Sequence, residues 1–420
     1  MRRPGLTVPP RLLLFLPSTT YRAAAFVEAA RRLDIELTVA TDHRSVFDAA
    51  HPDKLLALDF DRPDSVREQV REFAGRYSVS AVFGVDDDTA VLAAHAAEEL
   101  GLPHNSVAAC QAARDKFRQR TLLAAARVPV PPFALHRLDG DVAAAAVVAP
   151  YPCVIKPIRL SMSRGVMRAD NAPQFEAAVR RLRAILADPD AARACGDEAA
   201  SYLVEGFVPG REFALEGLLD GGRLRVLALF DKPDPLDGPF FEETIYATPS
   251  SLDAAGQDAI ASCVERAALA MGLARGPVHA EVRFNERGPW LIELAARPIG
   301  GRCSAVLGFG ERGDVSLEQL LLAHAVGLQT PALPRSSGAS AVMMIPVPRA
   351  GTLRDVSGIA EARLVPWIGD IVITARLGEQ LVPLPEGNRY PGFIFARAAD
   401  AETAVDAVRR AHALLTFELA

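Results

Sequence analysis

The sequence predicts a multidomain protein that combines α/β and α+β folds. The chain has 420 residues, which is too long for one ordinary hydrophobic core. Strand and helix patterns alternate in its first quarter, as in an open parallel α/β domain. Strands dominate the middle, and short strands with one closing helix follow. We therefore expect an N-terminal α/β domain over 1–105, a central domain over 106–335 and a C-terminal α+β domain over 336–420.

Composition excludes several classes of protein. Half of the residues are hydrophobic, 23% are charged and the formal net charge is −6, which is normal for a soluble enzyme and offers no basic surface for nucleic acid. The apolar run LLLFL at 12–16 is shorter than a signal-peptide core of about 7–15 residues, and we interpret it as a buried strand. No run approaches the roughly 18 apolar residues of a membrane span. Five widely spaced cysteines favour reduced thiols in the cytoplasm.

The elements of the first domain follow from periodicity and from helix-start signals. A capping box of Ser65 and Glu68 is expected to open the second helix. The block lacks the G-x-G-x-x-G pattern, so nothing in it indicates NAD. The predicted strands are 11–16, 35–41 and 79–85, and the predicted helices are 20–33, 64–77 and 89–100.

The remaining elements are marked by prolines, glycines and caps. A helix over 107–126 should carry Lys116, and the prolines of VPVPP should end it. Ser316 and Gln319 form a capping box for a helix over 316–328. PALPRSSGAS at 331–340 is the clearest linker. After it come three predicted strands (341–347, 370–376 and 392–398) and a helix at 401–414.

The stretch HAEVRFNERGPWLIELAARPIGG, residues 279–301, predicts a hairpin with acidic residues in register. A three-residue loop over 286–288, ending in a left-handed glycine, pairs Asn285 with Pro289. The same register places Glu281 opposite Glu293, where like charges repel. A hard dication such as Mg²⁺, held by carboxylate oxygens beside phosphates, is one answer.

Two other answers to this repulsion remain open. Arg283 or Arg297 could neutralise one of the glutamates. Alternatively, the register could slip by one residue and water could solvate the other carboxylate.

Upstream, PCVIKPIRLSMSRGV (152–166) predicts a phosphate-binding loop. A short strand delivers Lys156 to its end, and Ser161, Ser163 and Gly165 lie in the loop that follows. Backbone N–H groups and hydroxyls of such a loop can cradle phosphate, and an ammonium can neutralise it. The alternative is an ordinary lysine solvated at a strand end.

SYLVEGFVPGREFALEGLL (201–219) predicts two strands joined at Pro209-Gly210. Glu205 and Glu212 flank that turn and lie seven residues apart. One acceptor could bind the amino group of adenine, and a carboxylate could accept from both ribose hydroxyls. The alternative is a pair of surface glutamates on an edge hairpin.

The order and spacing of these segments resemble the ATP-grasp superfamily of carboxylate–amine ligases. VFGVDDDTAVLAAHAAEELGLP and ARDKFRQRTLLAAARVPVPPF look like the join between the leading and ATP-grasp domains. HAEVRF, LIELAARPIGG and the C-terminal SGIAEARLVPWIGDIVI are similar to segments of the bacterial L-amino acid ligases, which form dipeptides. The resemblance covers nearly the whole chain. It implies an ATP-grasp fold for 106–335, with a small lid subdomain at about 135–208, and a C-terminal lid.

The resemblance also implies roles for individual residues. The phosphates of ATP would contact Lys116, Lys156 and a mobile loop over 161–165. The adenine would contact Glu205 and the neighbouring backbone, and the ribose would contact Glu212. Mg²⁺, or Mn²⁺ in its place, would bind Glu281 and Glu293. The implied cofactor-binding residues are Lys116, Lys156, Ser161, Ser163, Gly165, Glu205, Phe207, Val208 and Glu212, and the implied catalytic residues are Arg297, Lys156, Gly300 and Gly301.

The chain departs from the superfamily pattern at one metal position. Most members have Asn two residues after the second metal glutamate, and this chain has Ala295. The L-amino acid ligases show a similar E-x-A-A-R pattern, which favours them but leaves open whether one or two metal ions bind. FFEETIYATPS (240–250) is similar to their acidic stretch near the bound amino acid. The substrate residues implied are Glu242, Glu243, Tyr246 and His279, although His279 could equally be a packed strand histidine.

The implied reaction joins a carboxylate to an amine, with an acyl phosphate as intermediate and ADP and phosphate as products. Amino acids are the expected substrates. Another ATP-grasp ligase or carboxylase with a different acceptor, and a nucleotide-binding module without catalysis, are the alternatives. We expect a cytoplasmic protein with small-molecule partners, no nucleic acid and no membrane, and a homodimer is compatible with the sequence.

Overall fold

The N-terminal unit is an open parallel sheet covered by helices, as the sequence predicts. The computed structural model describes residues 9–48, 50–329 and 333–420. The unit contains β1 (Arg11–Phe15), α1 (Ala23–Leu33), β2 (Glu36–Thr41), β3 (Leu55–Ala57), α2 (Pro63–Arg76), β4 (Ala81–Gly84) and α3 (Asp87–Glu99). The strands are parallel in the order β3-β2-β1-β4. Residues 1–8 of the predicted N-terminal domain lie outside the described residues.

Two of the helix starts in this unit differ from the prediction. The predicted capping box of Ser65 and Glu68 is wrong. Pro63 already occupies the first turn of α2, and the Ser65 hydroxyl accepts from Gln69 inside the helix. A capping box does open α3, where the Asp86 side chain accepts from the backbone N–H of Thr89 at 2.8 Å. Proline fixes a helical φ without needing an N–H partner. It therefore replaces the side-chain cap at the start of α2.

The predicted single helix over 107–126 is wrong, because two helices occupy this segment: α4 (Val107–Arg114) and α5 (Lys116–Ala125). Asp115 has an extended backbone between them, and its side chain accepts from Arg118 N at 2.9 Å. An aspartate in this position is a strong N-cap. The break turns Lys116 into the first residue of α5, so its side chain projects from a helix start.

A four-stranded antiparallel sheet forms the small subdomain. It is built from β5 (Phe133–Arg137), α6 (Val142–Val148), β6 (Cys153–Pro157), β7 (Met167–Ala169), α7 (Ala172–Leu186), α8 (Pro189–Cys195), a 3₁₀ helix (Gly196–Ala200) and β8 (Ser201–Gly206). The strand order is β5-β8-β6-β7. Lys156 and Glu205 therefore lie on neighbouring strands, β6 and β8, in the middle of the sheet.

The rest of the chain builds one sheet of eight strands and its cover. Its elements are β9 (Arg211–Asp220), β10 (Arg223–Lys232), β11 (Ile245–Thr248), α9 (Ala254–Ala270), β12 (Gly276–Asn285), β13 (Gly288–Ala295), a 3₁₀ helix (Cys303–Val306), β14 (Gly308–Phe309), β15 (Val315–Ser316), α10 (Leu317–Ala325), β16 (Ala339–Met344), β17 (Gly351–Ser357), α11 (Ile359–Arg363), β18 (Ile368–Ile373), β19 (Gln380–Leu381), β20 (Gly392–Ala398), α12 (Ala401–His412) and β21 (Thr416–Leu419). The large sheet runs β13-β12-β9-β10-β11-β16-β20-β18, and β19-β17-β21 form a separate small sheet.

The large sheet crosses the expected boundary at 335/336, because β16, β20 and β18 continue the sheet begun by the central strands. The predicted linker at 331–340 lies partly outside the described residues, and its last two residues belong to β16. The predicted capping box of Ser316 and Gln319 is confirmed at the start of α10. One hydrophobic core joins the N-terminal unit to both halves of the sheet, through Leu12, Phe230 and Phe393 among others. This shared core holds the three regions around one cleft.

The predicted hairpin is present, with a different turn. Asn285 pairs with Gly288, so the loop has two residues, and the predicted three-residue loop is wrong. A β-bulge between Glu281 and Val282 then shifts the register by one residue. Glu281 therefore does lie opposite Glu293. The pairing of the two acids is confirmed, although the route to it differs from the prediction.

The strands on either side of Pro209-Gly210 belong to different sheets. Strand β8 lies in the small sheet and β9 in the large one, so this turn joins the two sheets and the two strands do not form an edge hairpin. In the described part of the chain, no helix combines the length and apolar character needed to cross a membrane.

Candidate active site

A cavity of about 1350 Å³ lies between the two sheets and the N-terminal unit. Its wall includes most of the residues that the sequence assigned to the site. The predicted residues that line it are Lys116, Lys156, Ser161, Ser163, Glu205, Phe207, Val208, Glu212, Glu243, Tyr246, His279, Glu281, Glu293, Arg297, Gly300 and Gly301. Gly165 and Glu242 are not part of this wall, and Glu242 borders a small adjoining pocket instead.

A buried triad of charges anchors the small-sheet side of the cavity. Lys156 Nζ lies 2.7 Å from Glu205 Oε2, and Arg120 Nε lies 2.6 Å from Glu205 Oε1. Burial opposes ionisation of Glu205, but Arg120 and Lys156 hold its pKa below the usual value. Burial lowers the pKa of Lys156 to about 8, against the opposing effect of Glu205. The Glu205 carboxylate, which the sequence assigned to adenine, is thus committed to two cations of the protein.

The predicted phosphate loop follows this triad. Lys116 Nζ donates to Leu160 O at 2.9 Å and lies 3.3 Å from Glu293 Oε1, so it bridges the loop to the hairpin. Met162 and Ser163 have φ values of 58° and 55°, a left-handed conformation that turns successive N–H groups to one side. Gly165 N, in contrast, donates to Pro385 O at 2.9 Å. The C-terminal region therefore holds the end of this loop.

Glu212, which the resemblance assigned to ribose, lines the cavity and is held by two cations. Its carboxylate accepts from Lys232 Nζ at 2.8 Å and from Arg283 Nε at 3.0 Å. Arg283 Nη1 also donates to Val208 O at 2.9 Å, and its guanidinium lies 4.8 Å from the centre of the Phe207 ring. The same arginine thus fixes the residues assigned to ribose and to adenine.

Three carboxylates surround Lys232, which the sequence analysis did not identify. Its Nζ lies 2.6 Å from Glu243 Oε1, 3.1 Å from Glu281 Oε1 and 2.8 Å from Glu212 Oε1. Burial disfavours the ammonium, but the three carboxylates raise its pKa well above the usual value. Burial and the charge of Glu281 raise the pKa of Glu243 to about 8. The sequence did hold a signal for Lys232, because only four of the 46 lysine and arginine residues are lysines, namely Lys54, Lys116, Lys156 and Lys232. Lys116 and Lys156 line the cavity, and Lys232 contacts three carboxylates that line it.

This donor set fits Mg²⁺. One carboxylate oxygen from each of Glu212, Glu243 and Glu281 lies within 4.8 Å of the others. Hard oxygen donors and an excess of negative charge are what Mg²⁺ requires. Glu293, the second predicted ligand, faces the same cavity but contacts Lys116. The two acids of the hairpin therefore serve different cations in this structure.

Arg297 is held by the N-terminal unit. Its Nε lies 2.8 Å from Asp87 Oδ2, at the first residue of α3. Burial opposes ionisation of Asp87, and the guanidinium keeps its pKa below the usual value. Asp87 was not among the predicted residues. The sequence did contain a signal for it, because three aspartates at 86–88 closely follow β4. Side chains at the carboxyl end of a parallel strand commonly line a binding cleft.

Two further side chains clamp the segment after Arg297. Arg22 Nη2 donates to Ile299 O at 2.7 Å, and Glu216 Oε2 accepts from Ile299 N at 2.9 Å. Gly301 has φ 57°, and a Cβ there would lie 2.6 Å from Met344 Sδ. The position thus accepts only glycine without rearrangement. The backbone of the glycine pair is held rigidly against the cavity.

The other predicted substrate residues differ in their surroundings. The Tyr246 ring lies 5.0 Å from Lys232 Nζ and is buried. His279 is buried, with Nδ1 3.8 Å from Glu216 Oε2 and Nε2 3.9 Å from Glu281 Oε1, and burial lowers its pKa. It therefore lies between two carboxylates and also borders the cavity.

Family models match three consecutive parts of the chain. Residues 27–104 match the ATP-grasp N-terminal domain, residues 149–306 the ATP-grasp domain, and residues 343–420 the L-amino acid ligase C-terminal domain 2. The match at 149–306 contains the buried triad, the predicted phosphate loop and the hairpin.

The chain is similar to an alanine–anticapsin ligase and to a carnosine synthase. An alanine–anticapsin ligase of Bacillus subtilis is 27% identical over 306 residues, which cover 69% of this chain and 64% of that protein. Carnosine synthase 1 of Homo sapiens is 32% identical over 231 residues, 52% of this chain and 27% of that enzyme. The chain thus spans less than two thirds of either relative.

A crystal structure of an L-amino acid ligase from Bacillus licheniformis has the same fold. It superposes with a TM-score of 0.80 at 24% identity, over 99% of this chain and 100% of that one. This likeness shows the fold, and the three consecutive family matches show an ATP-grasp domain preceded by its N-terminal domain and followed by the C-terminal domain 2 of the L-amino acid ligases.

Proposed function

We propose that this protein is an ATP-dependent carboxylate–amine ligase that forms an amide bond between two amino acids. One observation carries the proposal: a single cavity has two lysines, Lys116 and Lys156, at one side and the segment of Arg297, Gly300 and Gly301 at the other. Such an arrangement lets the phosphates of a nucleotide and the carboxylate of an amino acid lie side by side in one cavity. The named relatives, which are ligases, support the same reaction class.

The proposed reaction begins when the carboxylate of one amino acid attacks the γ-phosphate of ATP. The products of this step are an acyl phosphate and ADP. The amine of the second amino acid then attacks the acyl carbon, and phosphate leaves with the electrons of the broken C–O bond. Phosphoryl transfer asks a protein mainly for positioning and charge neutralisation.

The chain supplies both demands from its own residues. Lys116 and Lys156 place positive charge beside the phosphate loop. The guanidinium of Arg297 faces the cavity and would balance the carboxylate as it gains the phosphoryl group. The backbone N–H groups of Gly300 and Gly301 would meet the same charge, as in an oxyanion site.

A metal would be held by Glu281, with Glu293 and the neighbouring carboxylates as further candidates. Bound Mg²⁺ would neutralise charge on the transferring phosphates. The C-terminal segment over Gly165 would keep water away from the acyl phosphate, which hydrolyses readily. These assignments of site residues remain proposals.

The deciding experiment is a screen of amino acid pairs for ADP release, with mass detection of the product. We expect ADP and a dipeptide only when both amino acids, ATP and Mg²⁺ are present. ADP release with bicarbonate or with a non-amino-acid amine would favour the other ATP-grasp reactions. Binding of ATP without ADP release under any pairing would favour a nucleotide-binding module.

A further inference from the structure

Lys232, the last residue of β10, is a buried cation shared by three acids. Its side chain is 3% exposed, and its ammonium lies 2.6–3.1 Å from oxygens of Glu212, Glu243 and Glu281. An ammonium has three protons, so each carboxylate can receive one hydrogen bond. The lysine therefore satisfies one oxygen of every member of the cluster at once.

The cluster without this lysine would be a cation site. The three carboxylates offer oxygens within 4.8 Å of one another, and buried like charges at that spacing need a compensating cation. Arg283 contacts only Glu212 among them. The choice of lysine matters in a chain whose basic residues are otherwise almost all arginine. A compact ammonium can occupy the volume of a single ion, whereas a planar guanidinium cannot.

We propose that Lys232 is the resident cation of this cluster and keeps it from binding divalent metal until nucleotide arrives. A metal ion in the cluster alone would have to displace an ammonium that already serves all three acids. ATP changes that balance, because its phosphates bring further oxygen ligands to the ion and new acceptors for the ammonium. The inference rests on the proposed function in taking Glu281 as a metal ligand and in placing the ATP phosphates beside the cluster.

The test uses the full chain and Mn²⁺ alone, without ATP or amino acids. Free Mn²⁺ is followed by its electron paramagnetic resonance signal in the wild type and in Lys232→Met. We expect the variant to bind one Mn²⁺ at least about tenfold more tightly than the wild type, because one positive charge has left a set of three acids. A second variant, Lys232→Met with Glu243→Gln, should lose most of this gain.

Two controls separate this gain from general effects. Lys54 is exposed and precedes β3, the edge strand of the N-terminal sheet, so Lys54→Met should bind Mn²⁺ as the wild type does. Lys232→Arg keeps a positive charge in the cluster and should show little or no gain. The proposal is wrong if Lys232→Met binds Mn²⁺ no more tightly than the wild type, or if the wild type already binds it tightly without nucleotide.

Loss of folding in Lys232→Met is also informative, since the change leaves three buried acids without their cation. In that case thermal unfolding is measured with and without Mn²⁺. The proposal requires Mn²⁺ to raise the melting temperature of Lys232→Met more than that of the wild type. A variant that stays unfolded in Mn²⁺ contradicts it. Since neither measurement involves ATP turnover, a failed ligase assay would leave both results standing.

Discussion

At the scale of single residues, the cavity depends on charges kept in place by burial. Lys156 donates to Glu205 at 2.7 Å, and both side chains are almost fully buried. Burial disfavours the ammonium more than one neighbouring carboxylate can offset, so its pKa falls from 10.5 to about 8. The residue can therefore lose its charge within an accessible pH range, unlike an exposed lysine.

This pKa predicts how nucleotide affinity varies with pH. Because the folded pKa of Lys156 is lowered, its positive charge is present below pH 8 and is lost as the pH rises through about 8. We expect the affinity for ADP to fall above that pH by up to about tenfold per unit, the limit for one proton. Isothermal titration with ADP between pH 7 and 10 measures the effect.

The matched variant is Lys156→Arg, which stays charged over the whole range because a guanidinium does not deprotonate. Its affinity for ADP should be lower than that of the wild type but should not fall further above pH 8. A wild-type affinity that is constant to pH 10 would contradict both the lowered pKa and the phosphate contact.

The residues of the site differ in how far sequence could predict them. Lys116, Lys156 and Glu205 were predicted to be near the nucleotide, and all three line the cavity. Arg120 was missed, because its relation to Glu205 depends on the break between α4 and α5 at Asp115. Charged residue types at strand ends are visible in sequence, whereas their partners are set by packing between elements.

At the scale of elements, the hairpin of β12 and β13 also has features that the sequence predicts and features that packing sets. Alternation and the left-handed glycine predict two strands and the pairing of Glu281 with Glu293. The bulge opposite Val282 was not predictable, because distant groups stabilise it: Leu291 N donates to Pro129 O at 2.9 Å, and Arg120 donates to Ile292 O. Local patterns carry no information about such bonds.

The phosphate loop and the C-terminal region form another contact between elements. Arg164 Nε donates to Glu386 O at 3.0 Å, and Arg181 Nη2 on α7 donates to Glu386 Oε2 at 2.8 Å. The Arg181 guanidinium also lies 4.9 Å from the centre of the Phe240 ring. Arg181 holds the side chain of Glu386, and the carbonyls of Glu386 and Pro385 accept from Arg164 and Gly165 of the loop. We therefore expect Arg181→Ala to loosen the loop at 160–166.

Hydrogen exchange measures that loosening. A partly exposed ion pair contributes about 0.2–1 kcal/mol, so exchange of the loop amides should rise by no more than about fivefold. Arg180→Ala is the matched control, since Arg180 is the preceding residue on α7 and pairs within the helix, with Glu176. Equal exchange rates in the two variants would show that the ion pair of Arg181 with Glu386 does not hold the loop.

At the scale of the whole molecule, the site is assembled from all three regions. Lys116 and Arg297 come from the central region, Asp87 and Arg22 from the N-terminal unit, and the residues over the phosphate loop from the C-terminal region. The sequence predicted three regions and their fold classes. It could not predict that one core and one eight-stranded sheet would join them, because such packing depends on contacts far apart in the chain.

This assembly predicts that a residue of the N-terminal unit controls turnover. Asp87 holds Arg297 at 2.8 Å, and Asp87→Asn keeps a hydrogen-bonding side chain but removes the charge. We expect Arg297→Ala to lower kcat by roughly 10²–10³, the cost of one lost transition-state donor. Asp87→Asn should lower it less, because the guanidinium remains but is less well oriented. Nucleotide affinity should change little in either variant.

The neighbouring Asp88 provides the control, because its side chain is 61% exposed and pairs with Arg114. Asp88→Asn has the same chemistry one residue away, and it should leave turnover unchanged. The measurements are ADP release with a productive amino acid pair and ADP affinity by titration. Equal losses of turnover in Asp87→Asn and Asp88→Asn would show a general effect on α3. A loss of ADP affinity as large as the loss of turnover would place Arg297 at the nucleotide and away from the acyl phosphate.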